Sequence, residues 1–375
     1  MTFPGPGDEP YAGPPPTRRP ERWEGTPAHW PPVAGPVPWG QPVQWARPVP
    51  LPPPPSVRWA PPPGTPPHDV PQPYLLAMLS RDWAWWRPLL GLLLLGVVYV
   101  VAATVVVFLT LATGVGTDFA QLDLVDPLTL LVTNLSLIVA IPVVWMAWVT
   151  AHGMGRSWSS SVLARLRRRL LLPYVLMAVG TLGIGIGGSV AASFLLGEEE
   201  VTGPVASFGW LLMVVILTTP LQAAAEEYLF RGYLSQALAA WVRHPAVGAV
   251  VAGVVTAALF SAAHLPPDLV TFLDRFAFGL AASAVVWLTG GLEAAIVLHA
   301  VNNVLVFVLA GALGEGVATQ EVPDGSGWLL LLISVATVAA YVAVVAWSRR
   351  RLRPETRTAA LDLRTPGVPV PVPAA

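Results

Sequence analysis

From Pro88 onward the chain alternates between long apolar runs and short polar turns. Eight runs stand out, at about 88–113, 127–149, 170–195, 207–230, 246–264, 270–288, 291–311 and 326–348. Each has the roughly 20 residues that an α-helix needs to cross a bilayer core. Five carry strong apolar runs without a charge: the first three, the eighth, and the fourth as far as Ala225. The sixth is the weakest, because Asp274 and Arg275 sit near its start. The pattern predicts an all-α fold, a polytopic membrane helix bundle of about eight transmembrane helices.

The segment before these runs is different. Of the 41 prolines, 26 precede Tyr74, and a stretch of that composition forms neither helix nor sheet ladders. Residues 1–80 are therefore expected to be a disordered Pro-rich tail with polyproline II character. A run such as Pro52 to Pro55 suits an aromatic-lined groove on a cytoplasmic partner, although a plain tether is the better-supported reading. Trp23, Trp30, Trp39, Trp45 and Trp59 are weak candidates for contact with a membrane surface. The remainder divides into N-terminal transmembrane helices (81–204), a core (205–312), a last transmembrane helix (313–353) and a second disordered tail (354–375).

Charge sets the orientation. Arg81 and Arg87, then Arg156, Arg165 and Arg167 to Arg169, then Arg349 to Arg351 and Arg353 fall on one side of the eight runs. The alternate loops hold Asp118, Asp123 and Asp126, then Glu198 to Glu200, then Glu315, Glu321 and Asp324. Arginine bias towards the cytoplasm then places both termini there. All 21 basic residues are Arg, which suggests a GC-rich genome and a prokaryotic plasma membrane. The net charge of −1 gives no sign of a nucleic-acid partner, and the absence of cysteine excludes thiolate chemistry and disulfides. No signal peptide is visible before the first run. The run Gly183-Ile184-Gly185-Ile186-Gly187-Gly188 lies inside an apolar span, so it fails the context of a dinucleotide loop. The spacing of Gly183 and Gly187 predicts close helix packing instead.

Three polar clusters interrupt the later runs. Glu226-Glu227-x-x-x-Arg231 follows the run Trp210 to Ala225; Phe260-x-x-x-His264 closes the fifth run; His299-x-x-Asn302-Asn303 lies in the seventh. Ionisable groups at membrane depth are costly and usually functional. Successive helical residues point about 100° apart, so Glu226 and Glu227 have different surroundings. Glu227 precedes Arg231 by one turn, the favourable order for an ion pair, and is expected to be a structural clamp. Glu226 is left as the general base, its burial raising its affinity for a proton. Pro266 and Pro267 should end the fifth helix close to His264. His299 and Asn303 share a face, with Asn302 pointing away. A carboxylate, two imidazoles and an amide suffice to activate water and to stabilise an oxyanion.

In these residues the chain resembles the CAAX prenyl protease 2-like family of intramembrane proteases, also called the CPBP or Abi family. The resemblance covers about residues 205–310. It includes Phe276-x-x-Gly279-x-x-x-Ser283, where the family has a second glycine in place of Ser283, and the turn Thr289-Gly290-Gly291-Leu292. It implies peptide-bond hydrolysis in the membrane, with Glu226 and His264 activating water, His299 and Asn303 binding the oxyanion, and Glu227 and Arg231 in support. No His-Glu-x-x-His is present. The reading leans to a metal-independent reaction and leaves open a divalent ion such as zinc, held by Glu226, His264 and His299. The expected substrate is a peptide or membrane protein arriving from the bilayer. An ion-coupled transporter and a non-catalytic scaffold or immunity protein are the alternatives, and no internal inverted repeat supports the first.

Depth leaves one conflict. Glu226 and His264 each lie 19 residues from Pro245, about 28 Å along a helix, whereas His299 lies eight residues past Gly291, about 12 Å. Either the 231–245 hairpin projects beyond the bundle or the sixth span is misplaced.

Overall fold

Local signals set most of the helix boundaries. Asp126 caps one helix by accepting from Thr129 N, with Pro127 in the first turn. His244 and Pro245 start another in the same way, and Asp268 accepts from Thr271 N at the start of the next. Side chains at these positions satisfy amides that the helix itself leaves unpaired. Gly153 and Gly290 end two helices in the left-handed conformation.

A computed structural model describes residues 71–80, 83–112, 123–195, 201–314 and 326–359. Their helices are α1 (Arg87–Ala112), α2 (Pro127–Ile138), α3 (Ala140–His152), α4 (Arg168–Leu195) and α5 (Phe208–Leu229), then α6 (Ser235–Val242), α7 (Pro245–Ala263), α8 (Leu269–Thr289), α9 (Glu293–Leu313) and α10 (Ser326–Leu352). Among the described residues there is no strand, only isolated bridges at Pro73–Arg357 and Ser161–Gly291. Eight helical stretches are long and apolar enough to cross a membrane, and they fall on the eight apolar runs. Residues 1–70 and 360–375 lie outside the described residues, and with them the tail tryptophans and Pro52 to Pro55. Asp118, Glu198 to Glu200, Glu315, Glu321 and Asp324 also lie outside.

Three features depart from expectation. First, the segment expected to be unstructured up to residue 80 contains a 3₁₀ helix, Tyr74–Ser80, whose residues Tyr74 to Leu79 are buried. Their apolar sequence, Tyr-Leu-Leu-Ala-Met-Leu, gives them burial energy that the prolines before them lack. Second, the glycine packing is displaced by two residues. Nothing approaches Gly183 or Gly187, whereas a Cβ on Gly185 would collide with Thr337 of α10. Third, the fourth span runs from Phe208 to Val242, 35 residues, because a π-helical segment, Phe230–Leu234, joins α5 directly to α6.

That length resolves the depth conflict. At 1.5 Å per residue the rod is about 52 Å long, well over a hydrocarbon core of about 30 Å. A Cβ on Gly232 would lie 3.4 Å from Leu292 Cδ1, so α6 carries the chain on past the residues that start α9, and α8 occupies the sixth run as read. α9 starts inside the protein, where Glu293 and Leu292 are fully buried. Residues 156–163 cover it: Leu292 N donates to Ser160 O at 2.9 Å and Val162 N to Gly290 O at 3.0 Å.

Arg167 fastens this corner. Its backbone N and Nε donate to Glu293 Oε1 at 2.7 and 2.9 Å, and its Nη2 meets Oε2 at 2.6 Å. Its Nη1 reaches Thr289 O at 3.0 Å and Glu355 O at 2.7 Å. The C-terminal strand of residues that supplies Glu355 also pairs with the segment before Tyr74: Thr358 N donates to Gln72 O at 2.8 Å, and Gln72 N to Thr358 Oγ1 at 2.9 Å. Gly290 is needed here, because its φ is +71° and a Cβ would lie 2.5 Å from Glu355 O.

Two expectations follow. Glu293→Ala leaves the Arg167 guanidinium buried without its carboxylate and should cost about 3–5 kcal/mol, seen as a fall in the melting temperature in detergent; an unchanged midpoint would contradict the arrangement. The second concerns pH. Burial works against the Glu355 charge, but a hydrogen bond from its own backbone N–H and the guanidinium groups of Arg169 and Arg167 outweigh it, holding its carboxyl below the ordinary value. A depressed carboxyl contributes stability above its unfolded pKa, about 4.3, and loses it as pH falls through the folded value. A nitroxide on Ala359→Cys in this cysteine-free chain should stay immobile at neutral pH and gain mobility in that acid window.

Candidate active site

The turn after Glu227 is widened. Ser235 N donates to Phe230 O, the i to i+5 bond of a π-helix, and Ser235 Oγ reinforces it at 2.9 Å. Such bulges cluster at functional sites because one extra residue re-aims everything downstream. Arg231 lies in this widened turn, fully buried. Its Nη1 donates to Glu227 Oε1 at 2.9 Å and its Nη2 to Gly279 O at 2.8 Å. α8 comes this close because Gly279 has no side chain; a Cβ there would lie 2.9 Å from Ala257 and 3.3 Å from Arg231 Nη2.

Glu227 has a second partner. His299 Nδ1 lies 3.0 Å from the same Oε1, so the clamp residue also orients an imidazole. His264 caps the end of α7, where its Nδ1 lies 2.7 Å from Phe260 O and its own carbonyl accepts from Arg275 Nη1 at 3.0 Å. The Phe260 ring sits between the two imidazoles, with centroids 4.6 Å from His264 and 5.6 Å from His299.

These contacts assign the protons. A carbonyl and a carboxylate only accept, so Nδ1 carries the hydrogen in both rings. In their neutral forms both Nε2 atoms then present lone pairs. Both point at Glu226 Oε2, each 3.8 Å away. That oxygen is buried and has no hydrogen-bond partner. Three acceptors thus face one another at separations too long for a direct hydrogen bond, and a water placed among them has O–H groups for two of the three. A divalent ion would use the same lone pairs. However, among the described residues no group of three or more His, Asp or Glu side chains is arranged to hold a metal ion.

The other oxygen of Glu226 is occupied by a residue that the sequence reading passed over. Gln222 Nε2 donates to Oε1 at 2.5 Å, and Asn303 Nδ2 donates to Gln222 Oε1 at 3.3 Å. Gln222 lies within the apolar run Trp210 to Ala225, and its place one turn before Glu226 is the signal the sequence offers. Asn302 touches this set only through its neighbour, its Nδ2 donating to Asn303 Oδ1 at 3.2 Å. The structure thus brings Glu226, Glu227, Arg231, His264, His299 and Asn303 into one cluster from α5, the π segment, α7 and α9. His264 is its exposed member, with about a third of its side chain accessible against a tenth for Glu226.

Residues 208–305, which contain every member of the cluster, match the family described as type II CAAX prenyl endopeptidase Rce1-like. The matched family is one of proteases, and with eight membrane-length helices the protein is a multi-pass membrane protein. No curated protein and no solved structure matches the chain. The match begins at α5, so the Tyr74–Ser80 helix, α1 to α4 and α10 lie outside the matched residues.

Arg231→Met leaves Glu227 buried without its guanidinium, with only the His299 imidazole against it, and should destabilise the domain by about 3–5 kcal/mol. Glu227→Leu combined with Arg231→Met should recover part of that loss. Thermal melts of the two variants make the comparison, and a double variant worse than the single one would contradict the pairing.

Proposed function

We propose that the protein is an intramembrane endopeptidase in which Glu226 activates a water molecule. The observation that carries this is the convergence of Glu226 Oε2 with two imidazole Nε2 atoms in a cluster within the Rce1-like match. Water bound there donates to Glu226 and to His264. As its oxygen attacks the peptide carbonyl, Glu226 takes the proton. The carbonyl oxygen gains charge and receives hydrogen bonds from Asn303 Nδ2 and His299 Nε2. For His299 this requires a proton on Nε2 in addition to the one that Nδ1 presents to Glu227. When the C–N bond breaks, the leaving nitrogen takes the proton from Glu226, and a carboxylic acid and an amine are released.

Glu227 and Arg231 act by holding His299 and the α5–α8 contact. The substrate is a peptide or a membrane-protein segment, and the partly exposed His264 supports approach from the end of α7. The family description names prenyl substrates, and a prenyl group is not required by this reading. Both termini are assigned to the cytoplasmic side of a prokaryotic plasma membrane.

Cleavage of a quenched-fluorescent peptide library by purified protein in detergent tests the reading. Glu226→Gln should lose about 100-fold or more, and His299→Ala a comparable factor, while a chelator leaves the wild type unchanged. Equal cleavage by all three proteins would refute the site. Loss on chelation with recovery on adding zinc would replace the metal-free mechanism with a metal-dependent one.

A further inference from the structure

We propose that Gln222 is a positioning residue for this reaction, one amide that holds both the water-activating carboxylate and the oxyanion-binding amide. The inference rests on the endopeptidase reading and adds a residue to it.

Gln222 lies one turn before Glu226 on α5, about 94% buried. A carboxylate can only accept, so Gln222 must present Nε2 to Glu226 Oε1. Its Oε1 is thereby turned towards Asn303, which must present Nδ2. The Oδ1 of Asn303 is left to accept from Asn302. One carboxylate therefore sets the direction of the whole sequence of bonds. Two consequences bear on chemistry. Glu226 has one oxygen tied down and the other, Oε2, left for water. Asn303 keeps its nitrogen, not its oxygen, on the Glu226 side, with a second N–H available for an oxyanion.

A helix-packing role has a different appearance in this bundle. Asn134 of α2 bonds Thr218 and Thr219 of α5 at 2.8 and 3.1 Å. That set joins two helices through neutral groups. Gln222 instead bonds one ionisable site residue and one amide of the oxyanion pair, on α5 and α9.

Gln222→Met keeps the length of the side chain and removes both hydrogen bonds. In the peptide assay kcat should fall by about 10- to 100-fold, with KM within about twofold of wild type, because ground-state binding is untouched. In an Asn303→Leu background the same change should cost less than it does in the wild type. Melting temperature and size exclusion establish that each variant is folded. A folded Gln222→Met with wild-type kcat overturns the inference, and if Glu226→Gln is inactive in the same panel the endopeptidase reading stands without it. A lower kcat with additive losses assigns Gln222 a packing role and also overturns it. Full activity of Glu226→Gln removes both readings. Should the wild type cleave nothing, the melting shifts of Gln222→Met, Glu226→Leu and the double variant decide: non-additive shifts support the bond, and additive shifts overturn it.

Discussion

Arg231 is fully enclosed among apolar helices, and an unpaired guanidinium could not remain there. Removing one partner from such a pair costs several kcal/mol, because the other charge is left with neither water nor counter-ion. Its acceptors are Glu227 on α5 and Gly279 O on α8, and Glu227 in turn binds His299 on α9. Satisfying one buried charge thus brings three helices to a fixed separation. The glycine at 279, the π-widened turn and the orientation of the His299 ring all follow from it. The cluster around Glu226 is built on that frame and contributes little to holding it.

A second guanidinium organises the opposite end of α8. Arg167 gathers the start of α4, the Thr289–Gly291 turn, the first residue of α9 and the Glu355 carbonyl. The two arginines act at different depths. Arg231 sets the spacing of the site, and Arg167 sets where α9 begins, which fixes how far along that helix His299 sits.

The spans, the Glu227–Arg231 pair, the helix end at His264 and the shared face of His299 and Asn303 were all legible in the sequence. Each depends on spacing within one helix, and helical geometry translates spacing directly into direction. What was not legible depends on contacts between distant segments. Arg167 read as one more loop arginine because its partner is 126 residues away. Gln222 read as part of an apolar run because a neutral side chain raises no flag until its two partners are seen. Gly185, not Gly183 or Gly187, meets α10 because the rotation of α4 about its own axis is set by neighbours that spacing alone does not name.

The pairing of Thr358 with Gln72 and the reach of Glu355 to Arg167 have a consequence for the order of assembly. Residues 353–358 follow α10, so they leave the ribosome after every described helix. The turn that starts α9 therefore acquires its final hydrogen bonds only after all the described transmembrane segments have been made. A nascent chain holding α1 to α9 contains every residue of the Rce1-like match but lacks the closure of that corner. The helix that carries His299 is fully anchored only once the segment after α10 has met the one before Tyr74.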